Sequence, residues 1–283
     1  MPIPLLPALL GGALGAGALA AAALRRTDAR RAAAAWAHLA ALAEPAPPRF
    51  DPAMVEGLPA PARRWLTRAI APGTPLSRIA EIEMEGELGL GDRTAPRYQP
   101  MRARQILAPP HGFVWIPRLG AWPARILGSD GLARGDAWVR FWLAGLVPVA
   151  RAADTPDLAR SAMARCVAEA ALWVPAALLP GPGLAWQAMD EHRARLRVDH
   201  AGQAVAVEIE VADDGRLLAL AMQRWSDANP ARVFRLQPFG GRVLEEARVG
   251  GFTVAGRVEA GNHFGTPDYF PFFRARIIGI RYR

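Results

Sequence analysis

Ile79-Ala80-Glu81-Ile82-Glu83-Met84-Glu85-Gly86 is the point at which the chain changes period. Ile79, Glu81, Glu83 and Glu85 alternate with Ala80, Ile82, Met84 and Gly86. Successive side chains of an extended chain point to opposite faces, so this run predicts a half-buried strand. The same reading recurs to the C-terminus. Further strands are expected over 98–107, 112–117, 125–128, 133–141, 146–151, 194–199, 204–211, 216–225, 232–236, 243–249, 252–259 and 273–282. Turn signals separate them: Gly91-Asp92, Pro109-Pro110, Gly128-Ser129-Asp130-Gly131, Asp154-Thr155-Pro156, Asp199-His200-Ala201-Gly202 and Asp213-Asp214-Gly215. One long helical pattern, 158–174, interrupts the strands and ends at Pro175. There is no βαβ rhythm. The expectation is an α+β fold, mainly antiparallel β: a curved or half-open β-barrel with one helix packed on its concave face.

Upstream of the strands the chain is different in kind. From Ile3 to Leu24 it holds no charged residue, long enough for a helix to span a bilayer. Arg25, Arg26, Arg30 and Arg31 follow, and the positive-inside rule puts their side of the membrane in the cytoplasm. The four arginines are also placed to meet anionic headgroups. The helical pattern runs on to residue 42 and breaks at Glu44-Pro45-Ala46-Pro47-Pro48. The expected organisation is a transmembrane anchor (1–25), a juxtamembrane helix with a Pro-rich linker (26–51) and a β-rich domain (52–283). It implies a single-pass membrane protein with its C-terminal domain in the cytoplasm; the alternative is a cleaved signal peptide, or a domain on the periplasmic or extracellular side. A short helix is also expected over 62–70.

Composition narrows the function classes. The formal charge is +8, and all 34 cationic residues are Arg. They are interleaved with carboxylates rather than gathered in a stripe, which argues against nucleic acid as a partner. Cys166 is the only cysteine, so no intrachain disulfide forms, and in its helical setting it reads as a small core residue. His111, His192, His200 and His263 have no spacing that would converge on a metal. No nucleotide, metal or other cofactor motif is legible. Gly128-Ser129-Asp130-Gly131 is not a nucleophile elbow and reads as a tight turn.

Two features stand out. Aromatic residues crowd one stretch (Phe113, Trp115, Trp122, Trp138, Phe141, Trp142), with Trp173 and Trp186 beside the end of the long helix. In that helix Arg165 and Glu169, four residues apart, form a polar pair beside Leu172 and Trp173.

Several segments are also similar to a known bacterial family. They are Leu58-Pro59-x-Pro61-x-Arg63-Arg64-Trp65-Leu66, Gly112-Phe113-Val114-Trp115, Arg165-Cys166-Val167-Ala168-Glu169-Ala170 with Trp173-Val174-Pro175-Ala176-Ala177-Leu178-Leu179-Pro180, and Tyr269-Phe270-x-Phe272-Phe273-Arg274. Together they resemble the uncharacterised domain of unknown function 6544 over about residues 53–283. The family often has Arg-Tyr in place of Arg165-Cys166 and Pro-Thr in place of Pro175-Ala176. It implies the domain and no activity. At the level of fold, many strands with a helix over the concave face look like the half-barrel of the lipoprotein carriers, which bind acyl chains.

The leading expectation is a membrane-anchored half-barrel that binds a lipid or other hydrophobic small molecule. Phe113, Trp115, Trp138, Phe141 and Trp173 would line the cavity, with Arg165 and Glu169 at its edge, Arg165 toward an anionic headgroup. The alternatives are a membrane-tethered scaffold, and an enzyme on a lipid-like substrate with Glu169 as general base. Oligomeric state is not legible in the sequence.

Overall fold

A computed structural model describes the backbone from residue 5 to residue 283 and side-chain surroundings from residue 17. Thirteen strands form one sheet: β1 (Ala80–Gly89), β2 (Tyr98–Ala108), β3 (Gly112–Leu119), β4 (Ile126–Ala133), β5 (Asp136–Leu143), β6 (Val147–Ala153), β7 (Leu184–Ala188), β8 (Arg193–His200), β9 (Gln203–Val211), β10 (Leu217–Ser226), β11 (Arg235–Val249), β12 (Phe252–Asn262) and β13 (Phe270–Tyr282). Their order is β6-β5-β4-β3-β2-β1-β13-β12-β11-β10-β9-β8-β7, antiparallel throughout. Two meanders, β1–β6 and β7–β13, are thus joined where β1 pairs with β13. β6 and β7 remain the two edges, so the curved sheet stays open.

The alternation at Ile79–Gly86 becomes two faces with different work. Ala80, Ile82 and Met84 are buried on the concave side. On the outer side the β1 carboxylates meet arginines of the neighbouring strands: Glu81 with Arg281 and Arg283, Glu85 with Arg276 and Arg102, Glu87 with Arg274. Exposed cross-strand pairs of this kind contribute little each, about 0.2–1 kcal/mol. They do explain why so many arginines form no cationic stripe.

One of the expected turns is not a turn. Gly128-Ser129-Asp130-Gly131 runs through the middle of β4. Its glycines are spacers: a Cβ on Gly128 would stand 2.7 Å from the Phe141 ring, and one on Gly131 2.6 Å from the Trp138 ring. The expected strand 243–249 and the end of the expected strand 232–236 belong to one strand, β11, because Gly240 and Gly241 let it approach the backbones of Leu220 and Glu259 on its two neighbours; residues 232–234 precede it. β7 was not expected from the pattern.

Among the described residues three α-helices accompany the sheet: α1 (Leu5–Ala40), α2 (Ala60–Ala69) and α3 (Pro156–Trp173). The sequence pointed to one helix on the concave face; two are there. α3 connects one sheet edge to the other, so it has to cross the hollow, and it is buried almost all round. Thr155 caps it by accepting from the backbone N–H of Leu158, and Pro156 opens its first turn. α2 adds Trp65 and Leu66 to the same core.

α1 packs on the outer face instead. Ala32 and Leu39 join a second core with Ile79, Ile106, Val114 and Trp138. Asp28 is buried beneath it, accepting from Trp142 Nε1 at 3.1 Å and from Arg151, with Arg140 Nε at 3.7 Å. Trp36 Nε1 donates to Glu81 at 3.2 Å. The helix after Leu24, expected as a juxtamembrane segment, is therefore seated on the sheet from Asp28 onward. The apolar run expected to cross a membrane lies largely outside the residues whose side chains are described. Among the described residues no helix is long and apolar enough to cross one.

Candidate functional site

Between α3 and the concave face of the sheet lies a cavity of about 530 Å³. Period-two geometry places its walls. Trp115 faces inward from β3, Phe141 and Val139 from β5, and Leu220 from β10. Trp173 closes one side from the end of α3, its Nε1 donating to the Ala255 carbonyl at 3.1 Å. Phe239, Val258 and Phe273 complete the apolar wall. The rings of Phe141 and Phe273 both stand edge-on to Trp115, at 6.3 and 6.4 Å between centroids.

Trp115, Phe141, Arg165, Glu169 and Trp173, expected from the sequence, are thus brought together on this cavity. Phe113 shares their face but lies beneath it, buried under Arg165. Trp138 does not belong with them. It stands three residues before Phe141 on one strand, so it points to the opposite face, under α1, with its Nε1 donating to Ser129 at 3.0 Å.

The cavity floor is charged. Arg165 reaches from α3 across to β4 and donates from Nη1 to Asp130 at 2.8 Å and from Nε to Glu169 at 2.6 Å. Its guanidinium lies 4.5 Å from the Phe113 ring centroid and 5.3 Å from that of Trp115. Gln105 donates to the second oxygen of Glu169. Both Glu169 oxygens are therefore engaged, an arrangement suited to holding Arg165 in place rather than to taking a proton from a substrate.

Asp130 and Arg224 are functional candidates that sequence reasoning missed. Asp130 Oδ1, Arg224 Nε and Trp115 Nε1 are buried with no hydrogen-bond partner among the described residues. Arg224 lies over the Phe239 ring at 4.9 Å, lines the cavity, and is paired with no carboxylate there. Burial, and then the charge of Arg165, push its guanidinium down to about 10. Burial raises the Asp130 carboxyl above the ordinary range, with Glu169 adding to the effect and Arg165 opposing it. For Arg165 burial is outweighed by its two carboxylates, which hold it charged. One cation is shared by two acids, and a second cation is left over. The signal for Arg224 was present: it continues the inward parity of Leu220 and Met222 on β10.

Cys166 is buried in the core, and burial raises its thiol, as for a packing residue. Among the described residues no group of three His, Cys, Asp or Glu side chains is placed to hold a metal. A second cavity, of about 300 Å³, lies by the β2–β3 turn, where His111 meets His200 edge-on at 5.1 Å. Burial, then the neighbouring His200, lowers the His111 imidazole.

A family model described as "Family of unknown function (DUF6544)" matches residues 48–275. The chain belongs to this family. The motifs by which it resembled that family converge on the structure just described: Trp65 and Leu66 pack α2 into the core, Trp115, Arg165, Glu169 and Trp173 line the cavity, and so do Phe272 and Phe273. No curated protein matches the chain. Among solved structures it is similar to a LolA superfamily protein from Nitrosomonas europaea, at 8% identity over 79% of this chain and 92% of that one, TM-score 0.41. It is also similar to a domain classed with outer membrane lipoprotein-sorting proteins from Vibrio parahaemolyticus, at 11% identity over 72% and 85%, TM-score 0.32. A third is a DUF1329 family protein from Desulfovibrio piger, at 8% identity over 73% and 86%, TM-score 0.33.

Proposed function

We propose that this protein binds an amphiphile, a molecule with an apolar tail and an anionic head, inside the half-barrel. The observation that carries the reading is Arg224, a cation without a carboxylate partner among the described residues, at the charged floor of a hollow whose walls are mostly apolar. A half-buried charge with no counter-ion is costly, and a carboxylate or phosphate would neutralise it. The aromatic walls would take the tail. Arg165 is already held by Asp130 and Glu169 and shapes the floor beside the head.

The apolar run before Arg25 is read as a membrane tether, with the arginines after it keeping the domain on the cytoplasmic side. The membrane's own lipids are then the nearest source of ligand.

Because α1 covers part of the sheet from Asp28 onward, the full chain in detergent is the right sample. Native mass spectrometry should show a co-purified acidic amphiphile, or uptake of added oleate. Leu220→Trp, which fills the cavity from β10, should abolish both. A chain that is empty as purified, and that takes up no oleate, would overturn the reading.

A further inference from the structure

The loops around the cavity mouth carry apolar side chains that none of the described residues covers. Trp122, in the β3–β4 loop, is 78% exposed. Leu146 and Val147 at the β5–β6 turn and Leu90 at the β1–β2 turn are exposed as well. In a meander every second turn falls at the same end of the sheet, so these three turns share one rim. The ladder confirms the neighbourhood: the Ala144 N–H donates to the Arg125 carbonyl at 2.7 Å, and that of Gly120 to Pro100 at 2.8 Å. Leu90 and Val149, both exposed, belong to the rim and to the cavity lining at once. The mouth therefore opens within this apolar rim.

α1 leaves the domain at the same rim. The Arg25 guanidinium lies over the β5–β6 turn, 3.3 Å from where a Cβ on Gly145 would stand. From there the helix runs across the outer face to Leu39, beside Ile106 and Ala108 near the β2–β3 turn. In the other direction it continues N-terminally past the rim, back to Leu5. Leu19 and Leu24 on that part are exposed. Exposed arginines stand at the same level: Arg25 and Arg26 on α1, Arg93 and Arg97 in the β1–β2 turn, and Arg125 beside Trp122. Asp92, in the β1–β2 turn with Arg93 and Arg97, is turned into its own loop, accepting from Thr94 and Ala95.

We infer that this rim docks on an anionic bilayer, with the cavity mouth facing the membrane. Indole and aliphatic side chains flanked by arginines suit the headgroup layer, where ring and stem are apolar and the cation meets phosphate. The helix that leaves the rim fixes the approach, since its apolar continuation and the rim point the same way. An amphiphile can then pass between bilayer and cavity without crossing water. This goes beyond ligand binding: it states where the mouth is held and against what.

The test uses the full chain in vesicles of phosphatidylcholine with phosphatidylglycerol. Cys166 is buried, so a thiol-reactive, environment-sensitive fluorophore can be placed selectively at Trp122→Cys, at Leu146→Cys, or at Asp213→Cys in the β9–β10 turn away from the cavity. Labels at 122 and 146 should shift to shorter wavelength and be quenched by a lipid-borne nitroxide several-fold more than the label at 213. Arg93→Glu with Arg97→Glu should reduce that quenching, as should purely zwitterionic vesicles. Equal, water-like signals from all three positions would overturn the inference. Undiminished quenching in zwitterionic vesicles would overturn its anionic part. Oleate uptake by the labelled chains reports the cavity separately.

Discussion

Nη1 of Arg165 and Oδ2 of Asp130 lie 2.8 Å apart, which ties the middle of α3 to the middle of β4 inside the hollow. The two residues are 35 positions apart in the chain and come from the helix and the strand that frame the cavity floor. With Glu169 on its other side, Arg165 is the one cation between two half-buried acids. Fold stability and ligand chemistry therefore meet in the same few side chains.

Replacing Arg165 with Leu should be severe. It would leave Asp130 and Glu169 buried without their counter-charge and remove the contact with Phe113. A loss of about 3–5 kcal/mol is expected. It would be read as a lower urea midpoint with unchanged slope. Arg165→Lys should recover only part of it, since an ammonium cannot bond both acids as a planar fork does.

Asp130 should make the protein pH-sensitive in a defined direction. Its proton affinity is raised in the fold, so the folded chain holds this proton more tightly than the unfolded chain. The stabilisation is fully present below the ordinary carboxylate value and is lost as pH rises through the raised one. Denaturation curves taken from the ordinary carboxylate range upward should show this slope, and Asp130→Asn should flatten it. An anionic ligand should likewise bind more tightly as Asp130 takes up its proton, and that dependence should vanish in the same variant.

Arg224→Met should separate stability from binding. It removes a half-buried cation that has no carboxylate partner among the described residues and keeps a long apolar stem against Phe239. The melting temperature should rise by a few degrees, since about 1 kcal/mol corresponds to several degrees in a small domain and fewer in one of this size. Affinity for oleate should fall about tenfold or more, equivalent to about 1.4 kcal/mol, while a neutral amphiphile of the same chain length binds as before. Equal losses for both ligands would show that Arg224 does not read the head.

Asp28→Ala tests the seat of α1. It strands Arg140, buried with its carboxylate at 3.7 Å, and removes acceptors of Trp142 and Arg151. A cost of about 3–5 kcal/mol is expected, with faster hydrogen exchange over residues 28–40 while the concave core stays protected.

Much of the sheet was legible because burial on one face imposes a period of two, and turns between antiparallel strands have their own residue chemistry. The hairpin signals at Asp199–Gly202 and Asp213–Gly215 were read correctly for that reason. Gly128-Ser129-Asp130-Gly131 misled because glycine serves two ends, chain reversal and close approach. Only the rings of Phe141 and Trp138, from the next strand, decide which one applies. The cavity residues were half legible. Arg165 and Glu169 are four apart on a helix and so declare themselves locally, whereas Trp138 was grouped with Phe141 by closeness in sequence when strand parity separates them.

The amino-acid order by itself determined most of the strands, the helix that crosses the hollow, the apolar N-terminal run and the family. Each of these follows from local periodicity or from adjacent residues. The tertiary structure alone decided that β1 closes on β13, that Asp130 answers Arg165, and that Arg224 is left without a partner among the described residues. It also decided that α1 leaves from the rim where Trp122 stands exposed. Those are relations between segments far apart in the chain. No periodicity encodes them, because they depend on which faces meet once the sheet has curved.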